Sequence, residues 1–146
     1  MDLNGTLGRP LANAAALLGR VLLSVLFLTS GWAKLFAAAG TTAYFAKLGV
    51  PMPALAYYAA VVVELGLGAM FLIGWLTPWT APVLAAWSIA SAVFGHADIG
   101  DRNQWIHFLK NVGLAGGFLH AFAFGGGAYS VDAFLRRRTA AANSYR

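Results

Sequence analysis

The chain of 146 residues contains no cysteine, and charged residues make up only 10% of it. The absence of cysteine excludes thiol–disulfide relays, iron–sulfur ligation and thiolate nucleophiles within this chain. An average soluble domain is about a quarter charged, so the low charge argues against a soluble enzyme and against a disordered tail. The 10 basic residues outnumber the 5 acidic ones. Among so many apolar residues, we interpret these cations as topology signals, and we expect no nucleic-acid partner.

Hydrophobic residues make up 60% of the sequence, and they are concentrated in a few long stretches. A helix needs about 20 apolar residues to cross a bilayer. Four stretches have about this length, at about residues 11–34, 54–76, 79–96 and 105–125. The connectors between them are short, which favours antiparallel neighbours. The sequence therefore predicts one all-α domain over residues 1–146, an integral membrane four-helix bundle with antiparallel up-down topology.

Two connectors contain further structural signals. Residues 41–48 could form a short helix on the membrane surface before Pro51 and Pro53. Thr77 is predicted to cap the third helix, with Pro78 at its first position.

The distribution of arginine predicts the orientation of the chain. An even number of spans places both termini on one side of the membrane. Arg136, Arg137 and Arg138 follow the last span directly and begin a basic tail over residues 134–146. Because cytoplasmic segments are enriched in Lys and Arg, we expect both termini to be cytoplasmic.

A few polar residues recur at helical spacing within the apolar stretches. Steps of three or four residues place side chains on one helix face. The first span has such a stripe in Arg20, Ser24, Phe27, Gly31 and Lys34. The second has one in Tyr57, Ala60, Glu64, Gly68, Phe71 and Trp75.

Glu64 is the acidic residue at the centre of the second span. Its side chain is too short to reach the headgroups, so it must be protonated, paired or hydrated. Lys110 is the expected partner, because its long side chain can cover most of the difference in bilayer depth between it and Glu64. Arg20 either reaches Glu64 from the cytoplasmic half or extends to the inner interface. With Lys34, His96 and His107 nearer the outer surface, these residues outline a polar funnel. A purely structural ion pair that holds the helices together is the alternative interpretation.

These polar residues are the candidate site residues. Glu64 and Lys110 are the candidate catalytic pair, with Glu64 passing protons. The candidate cofactor-binding residues are Lys34, His96, His107 and Asn111. Lys110 and its neighbours could stabilise the charge of a reduced quinone oxygen, whereas Lys34 and Lys110 could attract a small oxyanion. His96 and His107 could also ligate a haem or a metal, but without a third ligand we expect no metal site.

Four stretches of the sequence resemble the DoxX family of small four-helix bacterial membrane proteins. They are GRVLLSVLFLTSGWAKL, TTAYFAKLGVPMP, VELGLGAMFLIGWLTPWTA and FLKNVGLAGGFL. The positions that match the family's motifs are Lys34, Glu64, Gly68, Lys110 and Asn111. The chain departs from the family at Pro78, where members often have a basic residue.

The resemblance implies a multi-pass protein of the bacterial inner membrane. The family is named after a subunit of a thiosulfate:quinone oxidoreductase, and other members are associated with redox-stress complexes. We therefore expect a redox-associated protein that binds a quinone or a small oxyanion, in the lipid bilayer, as a homo-oligomer or with a partner redox subunit. Any activity of its own would be that of a membrane oxidoreductase subunit. A transporter of ions or small molecules and a membrane scaffold for a partner enzyme are the alternatives.

Overall fold

The structure, a computed structural model, describes residues 8–143. Within that range the chain forms six helices and no strand. They are α1 (Gly8–Leu35), α2 (Ala38–Lys47), α3 (Pro53–Ile73), α4 (Thr77–Gly95), α5 (Arg102–Phe124) and α6 (Val131–Asn143). The all-helical prediction is confirmed, and the long helices begin and end within a few residues of the predicted spans. The parts of the predicted domain and tail at residues 1–7 and 144–146 lie outside the described residues.

The helix ends follow local sequence signals in several places. Pro53 occupies the first turn of α3, where its missing N–H costs nothing. Gly74 follows the last residue of α3 with a φ of 69°, the left-handed conformation that glycine adopts without strain. At the start of α5, the Asp101 carboxylate accepts a hydrogen bond from the backbone N–H of Gln104 at 2.8 Å. This contact satisfies one of the free donors of the first turn.

The predicted cap of α4 by Thr77 is wrong. Leu76, with a φ of 51°, precedes the helix, and Thr77 is already its first residue. The capping group is instead the carboxylate of Asp132 in α6, which accepts hydrogen bonds from the N–H groups of Leu76 at 2.8 Å and Thr77 at 2.9 Å. The Thr77 hydroxyl is buried and has no hydrogen-bond partner. A charged acceptor from a distant helix thus replaces the local hydroxyl.

The four long helices pack side by side around an aromatic core. α1 packs against α3, α3 against α4, α4 against α5, and α5 also contacts α1. The Phe118 ring lies edge-on to Phe27 at 5.2 Å and to Phe71 at 4.9 Å between ring centroids. Ala81 and Ala85 of α4 complete this core, and their small side chains allow close helix packing. The three aromatic rings thus join α1, α3 and α5.

Two of the described helices are long and apolar enough to cross a membrane. α1 and α3 contain windows with mean hydropathy of 2.0 and 1.9. α4 and α5 have 19 and 23 residues, which corresponds to about 28 and 34 Å of helix, but they contain no window of comparable mean hydropathy. The described part of the predicted basic tail belongs to α6, whose helix continues to Asn143.

Candidate functional site

The two predicted polar stripes face the interior of the protein. On α1, Arg20, Ser24, Phe27 and Gly31 are buried, and Lys34 is partly buried. On α3, the buried residues are Tyr57, Ala60, Glu64, Gly68 and Phe71. Trp75 does not continue the second stripe, because it lies beyond the end of α3 and is 42% exposed.

Glu64 forms an ion pair with Lys34. The Lys34 Nζ atom lies 2.8 Å from Glu64 Oε2 and also donates to Ser30 Oγ at 2.8 Å. The second carboxylate oxygen, Oε1, accepts the indole N–H of Trp87 at 3.4 Å. The exposed side-chain fractions are 19% for Lys34 and 8% for Glu64. Both oxygens of a nearly buried carboxylate therefore have a donor, which is the condition for keeping it charged in an apolar setting.

The backbone around Glu64 departs from α-helical geometry. Residues Val62–Leu67 form a π-helical turn between two α-helical segments of α3. Gly31 of α1 faces this turn, since a Cβ atom built on it would lie 2.8 Å from Leu65 Cγ and 2.9 Å from Glu64 Cβ. The lack of a side chain at Gly31 thus lets α1 approach the π-helical turn closely enough for Lys34 to reach Glu64. Single π turns within α-helices are frequent at functional sites.

Tyr57 connects the same region to the end of α1. Its hydroxyl donates a hydrogen bond to the backbone carbonyl of Lys34 at 3.3 Å. We refer to Ser30, Lys34, Tyr57, Glu64 and Trp87 as the carboxylate cluster. Lys34 and Glu64 were predicted as site residues from the sequence, whereas Ser30, Tyr57 and Trp87 were not. Ser30 had a usable signal, since it precedes Lys34 by one helical turn.

An apolar cavity adjoins the carboxylate cluster. Its volume is about 490 Å³, and it lies between α2, the following loop, α3 and α4. Its walls consist of Tyr44, Phe45, Leu48, Val50, Pro51, Leu55, Ala56, Ala59, Trp87, Ala90, Ser91, Phe94, Gly95 and His96. Trp87 belongs to both features, because it lines the cavity and its N–H points to Glu64. The few polar groups in an otherwise apolar wall resemble the usual chemistry of small-molecule sites.

His96, His107 and Lys110 form a second cluster, near the loop between α4 and α5. The Lys110 Nζ atom lies 3.2 Å from His107 Nδ1, and the His107 ring stacks on that of His96 at 5.0 Å. His96 Nδ1 lies 2.7 Å from Gln104 Oε1. Lys110 is exposed, so the expected pairing of Lys110 with Glu64 is replaced by that of Lys34 with Glu64.

The rotation of α5 explains this difference. The buried face of α5 consists of Asn111, Ala115 and Phe118. Adjacent residues point about 100° apart around a helix of 3.6 residues per turn, so Lys110 is turned away from the interior when Asn111 faces it. Among the predicted site residues, Lys34 and Glu64 meet in one cluster, His96, His107 and Lys110 meet in another, and Asn111 is buried on α5.

Arg20 performs neither of its two expected roles. Its guanidinium donates hydrogen bonds to the backbone carbonyl of Leu72 at 2.8 Å and to that of Tyr129. The residue is 2% exposed, so it neither extends to the surface nor binds Glu64. The last carbonyls of a helix have no partner within it. Arg20 satisfies one of those carbonyls at the end of α3 and ties the loop before α6 to α1.

The arrangement of the described side chains gives no support for a metal site. Across residues 8–143, no group of three or more His, Cys, Asp or Glu side chains is placed to hold a metal ion. His96 and His107 remain a stacked pair of rings rather than part of a larger ligand set.

Sequence comparison identifies the family of the chain. The DoxX family model matches residues 15–97. The inner membrane protein YqjF of Escherichia coli (strain K12) is 34% identical over 130 residues, which cover 89% of this chain and 98% of that protein. The chain belongs to the DoxX family. The inner membrane protein YphA of the same organism is 35% identical over 122 residues, covering 80% of this chain and 86% of the relative.

Membership confirms the resemblance found in the sequence and makes the chain a DoxX-type integral membrane protein. The matched segment contains Lys34, Glu64 and Trp87, and it ends before Lys110 and Asn111. No solved structure matches the chain significantly.

Proposed function

We propose that this DoxX protein is a multi-pass inner-membrane protein in which α1, α3, α4 and α5 cross the bilayer as an antiparallel four-helix bundle. Each of these helices presents large apolar side chains outward, as in Leu22 (64% exposed), Val62 (63%), Val93 (51%) and Leu119 (52%). Such a surface is costly in water and favourable in lipid. The relatives YqjF and YphA are inner membrane proteins, which supports the same location for this chain.

In this topology both termini are cytoplasmic. The arginines of α6 follow the last crossing helix, as expected for a cytoplasmic segment. The positions of exposed tryptophans are consistent with the proposed placement of the two membrane boundaries. Trp32 and Trp105 lie near the outer ends of α1 and α5, whereas Trp75 and Trp79 lie near the inner ends of α3 and α4. Tryptophan is enriched at both membrane–water interfaces.

We further propose that the cavity binds a small, mainly apolar molecule with a hydrogen-bonding carbonyl, of the quinone class. The observation that supports this is the cavity of about 490 Å³ whose wall includes Trp87, the donor to Glu64. Its size is within the range of about 300–1,000 Å³ for ligand pockets. Ser91 and His96 provide further hydrogen-bonding groups within the wall.

The chain's own contribution to a redox process would be binding and proton handling. The cavity walls orient an apolar ring and exclude water. The Lys34–Glu64 pair lies on the other side of Trp87, and its carboxylate can accept a proton and return it. Quinone binding is favoured over oxyanion binding, because Glu64 neutralises the Lys34 ammonium that an oxyanion would need. In this proposal, electrons reach the ligand from a partner redox subunit.

Fluorescence titration with decylubiquinone tests the ligand. We expect saturable quenching of tryptophan fluorescence in the purified protein in detergent. Ala90→Leu, which fills part of the cavity, should weaken binding at least tenfold. Ala86→Leu makes the same change on the exposed side of α4 and should leave it unchanged. Non-saturable quenching, or equal effects of the two substitutions, would refute the proposed site.

Substitution of tryptophan locates the bound ligand. Trp87→Phe should remove most of the saturable quenching, since Trp87 lines the cavity. Trp79→Phe removes a tryptophan that is 74% exposed at the other end of α4 and should retain the saturable component. A saturable signal that survives Trp87→Phe and disappears with Trp79→Phe would place the ligand elsewhere.

A further inference from the structure

The junction of α5 and α6 forms a second pocket, which is shallow and open, at the end of the molecule opposite the outer histidines. Its volume is about 420 Å³. Its wall includes Phe124 at the end of α5, the glycine loop 125–127, Ala133, Arg136 and Arg137. Gly125 and Gly127 have φ values of 79° and 78°, and this left-handed backbone turns the chain from α5 into α6. The pocket thus combines a glycine loop with two guanidinium groups.

No carboxylate among the described residues forms a salt bridge with the arginines of this pocket. Asp132 is the acidic residue of α6, and its two oxygens accept the N–H groups of Leu76 and Thr77. Across the described residues 8–143, the one salt bridge is that of Lys34 with Glu64. Arg136 and Arg137 therefore project a net positive charge into a pocket that an anion could occupy.

The three arginines of α6 differ in their surroundings. Arg137 donates to the backbone carbonyl of Ala128 at 2.7 Å, which fixes its guanidinium at the pocket wall. Arg138 lies over the Phe134 ring, 5.4 Å from its centroid, and does not line the pocket. Arg136 lines the pocket from an exposed helix position. This difference provides two matched arginines for an experiment.

One large apolar side chain lines the pocket. Phe124, at the end of α5, is 76% exposed. Because Phe124 ends a helix that crosses the bilayer in the proposed topology, the pocket lies at the inner boundary between acyl chains and headgroups. A ligand with a phosphate and a hydrocarbon chain matches both parts of this surface.

We propose that the pocket binds the phosphate of an anionic phospholipid of the cytoplasmic leaflet. The inference rests on the proposed topology. Guanidinium groups pair with phosphate oxygens through charge-assisted, often bidentate hydrogen bonds. Each arginine whose guanidinium pairs with the phosphate in the pocket should strengthen binding by about fivefold, whereas Arg138 lies outside the pocket. The exposed Phe124 side chain at the pocket wall contacts an acyl chain of the same lipid.

Native mass spectrometry of the whole protein in nonionic detergent tests the site. The probes are phosphatidylglycerol and phosphatidylcholine of matched chain length. We expect wild-type protein to retain phosphatidylglycerol preferentially and Arg136→Gln to weaken its binding about fivefold. Arg138→Gln removes the same charge from outside the pocket and should change the affinity by less than twofold. Arg137→Gln should weaken binding at least as much as Arg136→Gln.

Several outcomes would overturn the proposal. Equal retention of the two lipids would exclude recognition of the anionic headgroup. Equal effects of Arg136→Gln and Arg138→Gln would indicate general surface charge instead of a pocket. Displacement of the lipid by millimolar inorganic phosphate would identify free phosphate as the ligand. Since lipid retention in detergent does not depend on quinone binding or orientation, these results are separable from the quinone titration. External labelling of a cysteine introduced by Thr139→Cys tests the topology separately.

Discussion

Lys34 and Glu64 lie 30 residues apart in sequence and on different helices, yet Lys34 Nζ approaches Glu64 Oε2 to 2.8 Å. The pair joins α1 to α3 one helical turn from Gly31, which faces Glu64 and Leu65 closely. Its position beside Trp87 connects the packing of the helices to the cavity. The same ion pair can therefore be examined through stability and, separately, through ligand binding.

Removing one member of this pair should destabilise the protein more than removing both. Glu64→Gln keeps an acceptor for Trp87 but leaves the Lys34 ammonium without its carboxylate, and Lys34→Met leaves the carboxylate without its cation. Breaking a buried pair costs about 3 kcal/mol, here at the lower end of the range because Lys34 is 19% exposed. The free energy of unfolding is measured by SDS titration in detergent.

The double variant Lys34→Met with Glu64→Gln provides the control for this prediction. It leaves no unpaired charge, so its cost should be below about 3 kcal/mol, lower than the cost of either single variant. Additive costs would contradict a direct interaction between the two residues.

Gly31→Ala should separate α1 from the π-helical turn. The added methyl group would lie within 3 Å of Leu65 and Glu64, and overpacking of this kind costs about 1–3 kcal/mol. Gly19→Ala is the matched control on the same helix, because a Cβ atom there has no neighbour within 4 Å. It should be neutral or stabilising by up to about 1 kcal/mol, the difference in helix propensity. Equal unfolding free energies for the two variants would argue against a close contact at Gly31.

The sequence was sufficient to predict the four long helices, the short helix α2 and the buried faces of α1 and α3, whereas helix α6 was predicted only as a basic tail. Long apolar stretches determine where helices form, and steps of three or four residues determine which side chains share a face. The position of Glu64 on the buried face of α3 follows from that periodicity. Its protonation or pairing follows from the cost of an isolated charge in an apolar setting.

The partner of Glu64 could not be predicted in the same way. Depth alone made Lys110 and Arg20 plausible partners, but the choice depends on how each helix is rotated and on how closely it packs. Gly31 brings Lys34 to Glu64, and the rotation of α5 buries Asn111 and exposes Lys110. The Asp132 cap was also unpredictable, because its acceptor and donors are 55 and 56 residues apart. Local sequence rules describe only caps made by adjacent residues.

Arg20→Lys should destabilise the junction of α3 with the loop before α6. A lysine ammonium lacks the planar fork with which Arg20 donates to the carbonyls of Leu72 and Tyr129. Loss of a buried, charged hydrogen bond costs about 2 kcal/mol in unfolding free energy. Arg9→Lys is the control, since Arg9 is exposed on the same helix and should change stability by less than about 0.5 kcal/mol. An unchanged unfolding free energy in the Arg20→Lys variant would mean that neither carbonyl depends on the guanidinium.

Asp132→Ala should destabilise the start of α4 and the start of α6 together. The carboxylate accepts the N–H groups of Leu76 and Thr77, which otherwise have no helical acceptor. Loss of a charged cap costs about 1–2 kcal/mol. We expect hydrogen–deuterium exchange to become faster at Leu76 and Thr77 and also along α6, because the removed contact joins the two helices.

Asp101→Ala separates the capping effect from this connection between helices. Asp101 caps α5 through the N–H of Gln104, three residues along the same chain segment. Its loss should cost a similar amount of stability and accelerate exchange in the first turn of α5, while α6 keeps its protection. If Asp132→Ala also accelerated exchange in only one helix turn, the carboxylate would be an ordinary cap and α6 would be held in place by its other contacts. Accelerated exchange in both helices would instead establish Asp132 as the link through which α6, with its arginines, is fixed beneath α4.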